Sequence, residues 1–485
     1  MQSDRFAARD QRAVYGVDLE SRKLYGGPSP IAERKSTRFE KGNSFFSTGR
    51  NDSDQDSGSR SRFLETFTVY HRLSLLVVLP NAAVIIYQVS QGTLFDQPTT
   101  CLNAVAANVA AAALIRQDYV INFLFTSFAL IQQRAPLRLR WHIARLYHLG
   151  SVHSGTGVAS GMWLVLFNVS SILNQPHTGM TPKVAAIIAL CLSLDVLLLQ
   201  MLVFSIPTFR HRFHNVWELF HRFSGWLLLI LFWGFLVMYN IFEAQEENET
   251  LASLFYTSPT FWLLATTTGS ILLPWLRLRR VTPQIERLSP HALRLHFDYA
   301  TVGACRTPRF STSPLTEWHS FASIPNYYSN GYSVIISRAG DWTGKIIDDP
   351  PSVLWTRGHP ACGVLYMAKL FRKVLCVATG SGIAPILGLL TMPNLQFRIL
   401  WSAKMPAKTY GADIVRRVVK ADPRAILLDT RDSGRFDLVQ EATNLYEEEG
   451  DFEAVFVISN SKSTKEIVSR LEERGIPAFG PIFDS

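Results

Sequence analysis

Two sets of residues have types and spacings that can do chemistry. Thr379, Gly380, Ser381, Gly382 and Pro385 form a small-residue turn between an apolar, β-prone run, Lys373 to Ala378, and an apolar helical run, Ile383 to Leu390. Glycines let a backbone approach a ligand closely, and a helix start offers free N–H groups and partial positive charge, so a pyrophosphate suits such a turn. Pro385 fits the first helical turn, where its missing N–H costs little. Strand–turn–helix joints also carry glycines for packing alone, and the turn by itself does not separate the two readings. The second set is histidine. His148 and His153 begin one apolar run, and His214 and His221 flank the start of another. At ~1.5 Å per residue, His153 and His221 lie on the order of 10 Å inside their helix ends. Two facing imidazoles there can ligate a single haem iron; the other reading is interfacial histidines that cap helices or bind headgroups.

The elements that must hold these residues follow from hydropathy and charge. The chain has 485 residues, 47% hydrophobic and 18% charged, which is apolar for a soluble protein and leaves room for about three domains. Six apolar runs approach the ~20 residues a bilayer requires, near Phe67–Tyr87, Leu102–Gln132, Leu146–Leu173, Val184–Phe204, Val216–Tyr239 and Pro259–Leu276. Arg134, Arg138, Arg140 and Arg145 follow the second run, Arg210 and Arg212 the fourth, and Arg277, Arg279 and Arg280 the sixth. Glu243, Glu246, Glu247 and Glu249 follow the fifth. This asymmetry predicts an integral membrane protein of the plasma membrane or an endomembrane, with both termini cytosolic. It accounts for the net charge of +9 through a lipid bilayer, with no nucleic acid partner. Asn248-Glu249-Thr250 is then a candidate glycosylation triplet on the outer side. Arg116, Asp118 and Asp195 fall inside the spans, and an ion pair between Arg116 and Asp195 is expected. Five scattered cysteines without a CxxC pair indicate neither a zinc site nor a disulfide framework.

Residues 1–62, rich in Ser, Arg, Asp and Gly, read as a disordered cytosolic tail, and 63–276 as the helical transmembrane domain. Short alternating runs, Val281–Leu288, Ala292–Tyr299 and Tyr332–Ser337, then suggest a small antiparallel barrel over 277–370. From 371 to 485, strands alternate with helices, the pattern of a doubly wound parallel sheet. The expected fold is therefore multi-domain: an all-α six-helix transmembrane bundle, an antiparallel β-barrel and a doubly wound α/β nucleotide-binding domain.

Two stretches in the barrel region add specificity. Glu317-Trp318-His319-Ser320-Phe321-Ala322 and Ser337-Arg338-Ala339-Gly340-Asp341-Trp342-Thr343 precede the glycine turn in order. With it they resemble the flavin module of the ferredoxin reductase superfamily, most closely its membrane branch of NADPH oxidases and ferric reductases. The resemblance implies FAD and NADPH as cofactors. His319, Ser320 and Phe321 would line the flavin ring and ribityl chain, and Arg338, Gly340, Trp342 and Thr343 would lie near its pyrophosphate. The residue types suit those roles: rings stack on isoalloxazine, hydroxyls bond its edge and a guanidinium neutralises phosphate. Thr379 to Pro385 would hold the nicotinamide nucleotide. Ser402, Lys404, Lys408 and Tyr410 would meet its adenosine end, where no acidic residue holds a ribose hydroxyl, favouring NADPH over NADH. The chain departs from that branch in two places. Phe456-Val457-Ile458-Ser459-Asn460-Ser461 stands where a Cys-Gly-Pro motif is usual, so no catalytic residue is assigned beyond the position of Ser459. The second histidine of each haem-holding helix is also missing, so any haem is single, on His153 and His221.

A nearer resemblance covers the chain from Arg62. Arg116-Gln117-Asp118 with Ile121-Asn122, Tyr147-His148, Val152-His153-Ser154-Gly155, Glu317 to Ala322, and the ending Gly475 to Ser485 look like the fungal TmpA-like membrane flavoproteins of conidiation. Related modules are fused to adenylating, peptide-synthetase-like enzymes, and Phe483 would cover the flavin. The expectation is a membrane flavoprotein oxidoreductase passing a hydride from NADPH to FAD and electrons to an unknown acceptor, with a role in developmental redox signalling. The alternatives are a haem-containing transmembrane ferric reductase or superoxide-producing oxidase, and a flavin-binding signalling protein with little turnover.

Overall fold

A computed structural model describes residues 69–95, 98–173, 181–326, 330–431, 434 and 436–482. The chain divides into two units, Met1–Gly58 and Ser59–Ser485, and every described residue belongs to the second. The expected tail over 1–62 and Phe483 lie outside the described residues.

The first part is helical: α1 (Val69–Ser90), α2 (Pro98–Leu114), α3 (Asp118–Ala129), α4 (Leu137–Ala144), α5 (Gly150–Leu173), α6 (Pro182–Phe204), α7 (Pro207–Arg212), α8 (His214–Glu247), α9 (Leu251–Thr257) and α10 (Pro259–Leu272). Local signals set several ends. Thr181 caps α6 by accepting from Val184 N, and Ser258 caps α10 by accepting from Phe261 N, each followed by proline at the first helical position. The core between these helices includes Trp163, Phe167, Leu194, Phe232, Phe235 and Leu264.

The six-helix bundle expected from the sequence does not form. Among the described residues, four helical stretches are long and apolar enough to cross a membrane: Val69–Ser90, Leu137–Leu173, Pro182–Phe204 and His214–Gln245. The expected span from Leu102 to Gln132 is broken instead into α2 and α3, bent by 70°. At the break Gln117 is extended; its side chain accepts from Tyr119 N at 2.8 Å and donates to Ser270 O at 3.1 Å, replacing the helical bonds given up there. The last expected span stops at Leu272, 14 residues long, and the chain turns through Pro274.

Among the described residues the expected closed barrel is also absent. Its place is taken by β1 (Arg279–Val281), β2 (Gln284–Arg287), β3 (Ala292–Phe297), β4 (Arg306–Thr307), β5 (Arg309–Ser311), β6 (His319–Ser320), β7 (Ile324–Pro325), β8 (Tyr332–Ser337), the helix α11 (Asp341–Asp348), β9 (Leu354–Thr356) and β10 (Ala361–Cys362). The strands separate into two four-stranded sheets, β1-β9-β5-β6 and β2-β3-β8-β7, and the pair β10-β4. Pro283 lies between β1 and β2, and Pro308 between β4 and β5. Each removes a ladder donor, and at each the chain passes to a different sheet. Phe297 of one sheet and Phe310 of the other stack with centroids 4.7 Å apart, closing the core between them.

The last part holds β11 (Lys373–Thr379), α12 (Ile383–Leu389), β12 (Gln396–Ala403), α13 (Pro406–Tyr410), α14 (Ala412–Ala421), β13 (Ile426–Asp429), α15 (Leu438–Glu449), β14 (Ala454–Ile458), α16 (Ser461–Glu473) and β15 (Ala478–Phe479). The sheet order is β13-β12-β11-β14-β15, all parallel. β11 and β14 are almost wholly buried, as apolar strands covered on both faces must be. Because β12 and β14 lie on opposite sides of β11, the strand order reverses at its carboxyl end, which opens a crevice beside the glycine turn.

Candidate functional site

Thr379 ends β11 beside Ser402 of β12, and its hydroxyl shares a hydrogen bond with the hydroxyl of Ser459. Gly380 has φ +51°, in the left-handed region, and its carbonyl accepts from Trp401 Nε1 at 2.9 Å. A Cβ on Gly382 would fall 2.1 Å from Ile458 O, so only glycine lets the turn lie this close to β14. Pro385 lies in the first turn of α12. Ser402 is buried and Lys404 is exposed, and Tyr410, also buried, places its hydroxyl against Gly380.

The flavin-motif residues collect on the neighbouring sheets. His319 pairs with Phe310 across β6 and β5, and its ring stacks on Trp342 with centroids 4.1 Å apart. Phe321 stacks on the same indole at 5.9 Å. Trp342 is buried in the core and donates to Thr312 Oγ1 at 3.2 Å, so it supports His319 from behind and is not itself a surface for a ligand. Ser320 is exposed, and the His319 side chain keeps 31% of its surface exposed. Thr343 Oγ1 accepts from the N–H groups of Ala339 and Gly340, both at 3.0 Å, and so fixes the start of α11. Arg338 forms a two-pronged ion pair with Asp348 on the surface, which holds that carboxyl below its usual range. The two motifs meet where Ser337 Oγ donates to Ser381 Oγ at 2.7 Å.

This arrangement fits a flavin nucleotide in residue type. His319 offers a ring, Ser320 offers an exposed hydroxyl, and the backbone at Gly340 is open, with nothing within 4 Å of a Cβ built there. Arg338 would have to exchange Asp348 for a phosphate.

The structure adds residues that sequence reasoning missed. Asp429, at the end of β13, accepts from the N–H groups of Met405 and Arg431, each at 2.9 Å, and Arg431 reaches Met405 Sδ at 3.5 Å. Asp429 and Arg431 meet Met405, the neighbour of Lys404, from the end of β13, 24 and 26 positions on, so no local signal marked them.

In the helical part, His153 and His221 do come together, with ring centroids 5.9 Å apart. They pack edge to face, and His153 Nδ1 is bonded to Ala112 O at 2.9 Å. His148 packs on Tyr147 and His214 on Trp217. No group of three or more metal-binding side chains occurs among the described residues. Asp195 takes a hydrogen bond from Asn168, where an ion pair with Arg116 was expected. Asp118 is 2% exposed and pairs with Arg309 at 2.9 Å while accepting from His359 N at 3.1 Å. Beside it the Arg357 guanidinium lies 4.4 Å from the ring centroids of both Trp275 and Trp318. Burial, with Arg309 and Arg222 nearby, pushes Arg357 down to about 9.

Residues 364–485 match the family described as adenylate-forming reductase 03009, C-terminal domain. Adenylate-forming reductase 03009 of Coprinopsis cinerea is 38% identical over 443 residues, covering 90% of this chain and 43% of that protein. Adenylate-forming reductase 06235 of the same organism is 39% identical over 423 residues, covering 87% and 40%. The chain thus spans less than half the length of these curated relatives. Among solved structures, a ferredoxin NADP+ reductase from Neisseria gonorrhoeae with bound FAD and NADP is 13% identical, with a TM-score of 0.35, covering 42% of this chain and 99% of that one. Ferredoxin-NADP+ reductase from Plasmodium falciparum is 12% identical, with a TM-score of 0.33, covering 42% and 95%.

Proposed function

We propose that the chain is an NADPH-dependent flavoprotein reductase that passes electrons to an acceptor held at its helical part or by a neighbouring module of a longer reductase. The observation that supports this reading is the hydrogen bond from Ser337 to Ser381, which joins the motif of Arg338, Gly340 and Trp342 to the glycine turn, while His319 stacks on Trp342 of that same motif. The reductase names of the curated relatives support the reaction class. Gly380 and Gly382 would admit the nucleotide pyrophosphate, and Lys404 and Arg431 would face its 2′-phosphate. The cations Lys404 and Arg431 at this end of the sheet support NADPH over NADH. His319 would orient the ring of FAD, which when bound accepts a hydride and releases electrons onward.

The helical part would lie in a bilayer through its four long apolar stretches. Large apolar side chains on their surfaces support this, among them Leu76 at 68%, Ile86 at 69% and Ile230 at 66% exposed.

A second reading, flavin binding with little turnover, is favoured by Ser459: its hydroxyl is tied to Thr379, and a serine is far less polarisable than a thiol at that place. A visible spectrum of the detergent-purified chain, before and after anaerobic NADPH, tests both. A flavin band bleached by NADPH is the expected outcome. A band that persists selects the second reading, and the absence of any flavin band sinks both; a Soret band would add a haem.

A further inference from the structure

A cavity of about 480 Å³ opens where the last apolar helix hands over to the first strand. Arg277 and Arg279 reach it from the handover, Arg306 from β4 and His359 from the loop after β9. No carboxylate lines it. The guanidinium carbon of Arg277 lies 5.6 Å from the ring centroid of Tyr119 and that of Arg279 4.3 Å from the ring centroid of Tyr299. Arg306 gives one N–H to Pro360 O at 3.3 Å. Each guanidinium carries five N–H donors, so most remain available, and among the described residues none of the three has an ion pair. His359 Nδ1 is buried without a hydrogen-bond partner. Cations gathered around one space repel one another, and an anion between them removes that cost.

We infer that this cavity binds a phosphate-bearing ligand. Planar donor forks match the tetrahedral oxygens of phosphate, and the volume exceeds what a simple carboxylate would fill. Leu276, which also lines the cavity, is 79% exposed, so an apolar side chain adjoins the cationic ones. The same chemistry serves a phospholipid headgroup or a free phosphate. The lining shares no residue with the flavin or nucleotide motifs, so the inference stands apart from the proposed function.

The test uses the full chain in detergent, with and without saturating FAD, titrated calorimetrically with inorganic phosphate and with dihexanoyl phosphatidic acid. Saturable binding is expected, weakened about tenfold or more in the double variant Arg279→Gln/Arg306→Gln and unchanged in Arg280→Gln. Tighter binding of the lipid assigns a headgroup, and equal binding assigns free phosphate. Should the double variant melt early, His359→Gln provides the same comparison. No binding of either probe, binding unchanged in the variants, or loss of binding when FAD is added would overturn the inference.

Discussion

At Gly382 a single hydrogen replaces a side chain because Ile458 O stands where a Cβ would be. The obstacle is the backbone at the end of β14, held in register by its pairing with Ala378 of β11, so it moves only with the strand. Gly382→Ala should therefore force the turn away from β14, at a cost of about 1–3 kcal/mol. The expected result is a lower thermal midpoint together with a raised KM for NADPH. An unchanged KM would mean that the turn does not hold the nucleotide. The same glycine shows what a sequence can reveal. Lys373 to Leu390 was legible as strand, turn and helix because hydropathy and glycine are local signals. That His319 stacks on a buried Trp342, rather than both meeting a ligand, was not, because it depends on which face of α11 the sheets cover.

The break between α2 and α3 is the element at which the helical part meets the strands that follow it. Asp118 begins α3 and meets Arg309 and the N–H of His359, while Asn122, one turn on, donates to Pro360 O at 3.1 Å and accepts from Cys362 N at 2.9 Å. Gly358, at φ +67°, permits the approach; a Cβ there would lie 2.3 Å from Asp118 Oδ2. Asp118→Asn keeps the shape and removes the charge, leaving Arg309 without its counter-ion. Destabilisation of about 3 kcal/mol is expected by denaturant titration, the low end for a broken buried pair because Arg309 is partly exposed. A shift under about 0.5 kcal/mol would show that the pair does not hold the parts together. The apolar run from Leu102 to Gln132 suggested one straight helix. Its polar interruption, Arg116-Gln117-Asp118, was the visible clue, but the partner that bends the chain is 241 positions away. The barrel was misread for a related reason, since two-residue strands such as β4 and β10 take their partners from distant sequence.

On the scale of the whole molecule, a second joint ties the helices to the parallel sheet. Arg140 on α4 grips both carboxylate oxygens of Glu453, at 2.6 and 3.0 Å, and also donates to Leu370 O at 2.8 Å. Burial alone would raise the Glu453 carboxyl, but Arg140 and the N–H of Arg372 outweigh it and hold it below its usual range. A carboxyl lowered in the folded state adds stability that is complete above its unfolded pKa and is lost as pH falls through the folded value. The thermal midpoint should thus be level from neutrality to about pH 5 and fall below about pH 4. Glu453→Gln should lower the plateau and flatten the acid limb, and an acid limb unaltered in that variant would remove Glu453 from the account.

The 70° bend also has a consequence in time. The chain is made from its amino end, so Asp118 exists 241 residues before the N–H of His359 that it accepts. At about 5–20 residues per second, that interval is roughly ten to fifty seconds. Through most of it the half-helix Asp118–Ala129 lacks Arg309, its ion-pair partner, and through all of it the loop that Asn122 secures. The helical part therefore reaches its final form only after the strands that follow it have been synthesised.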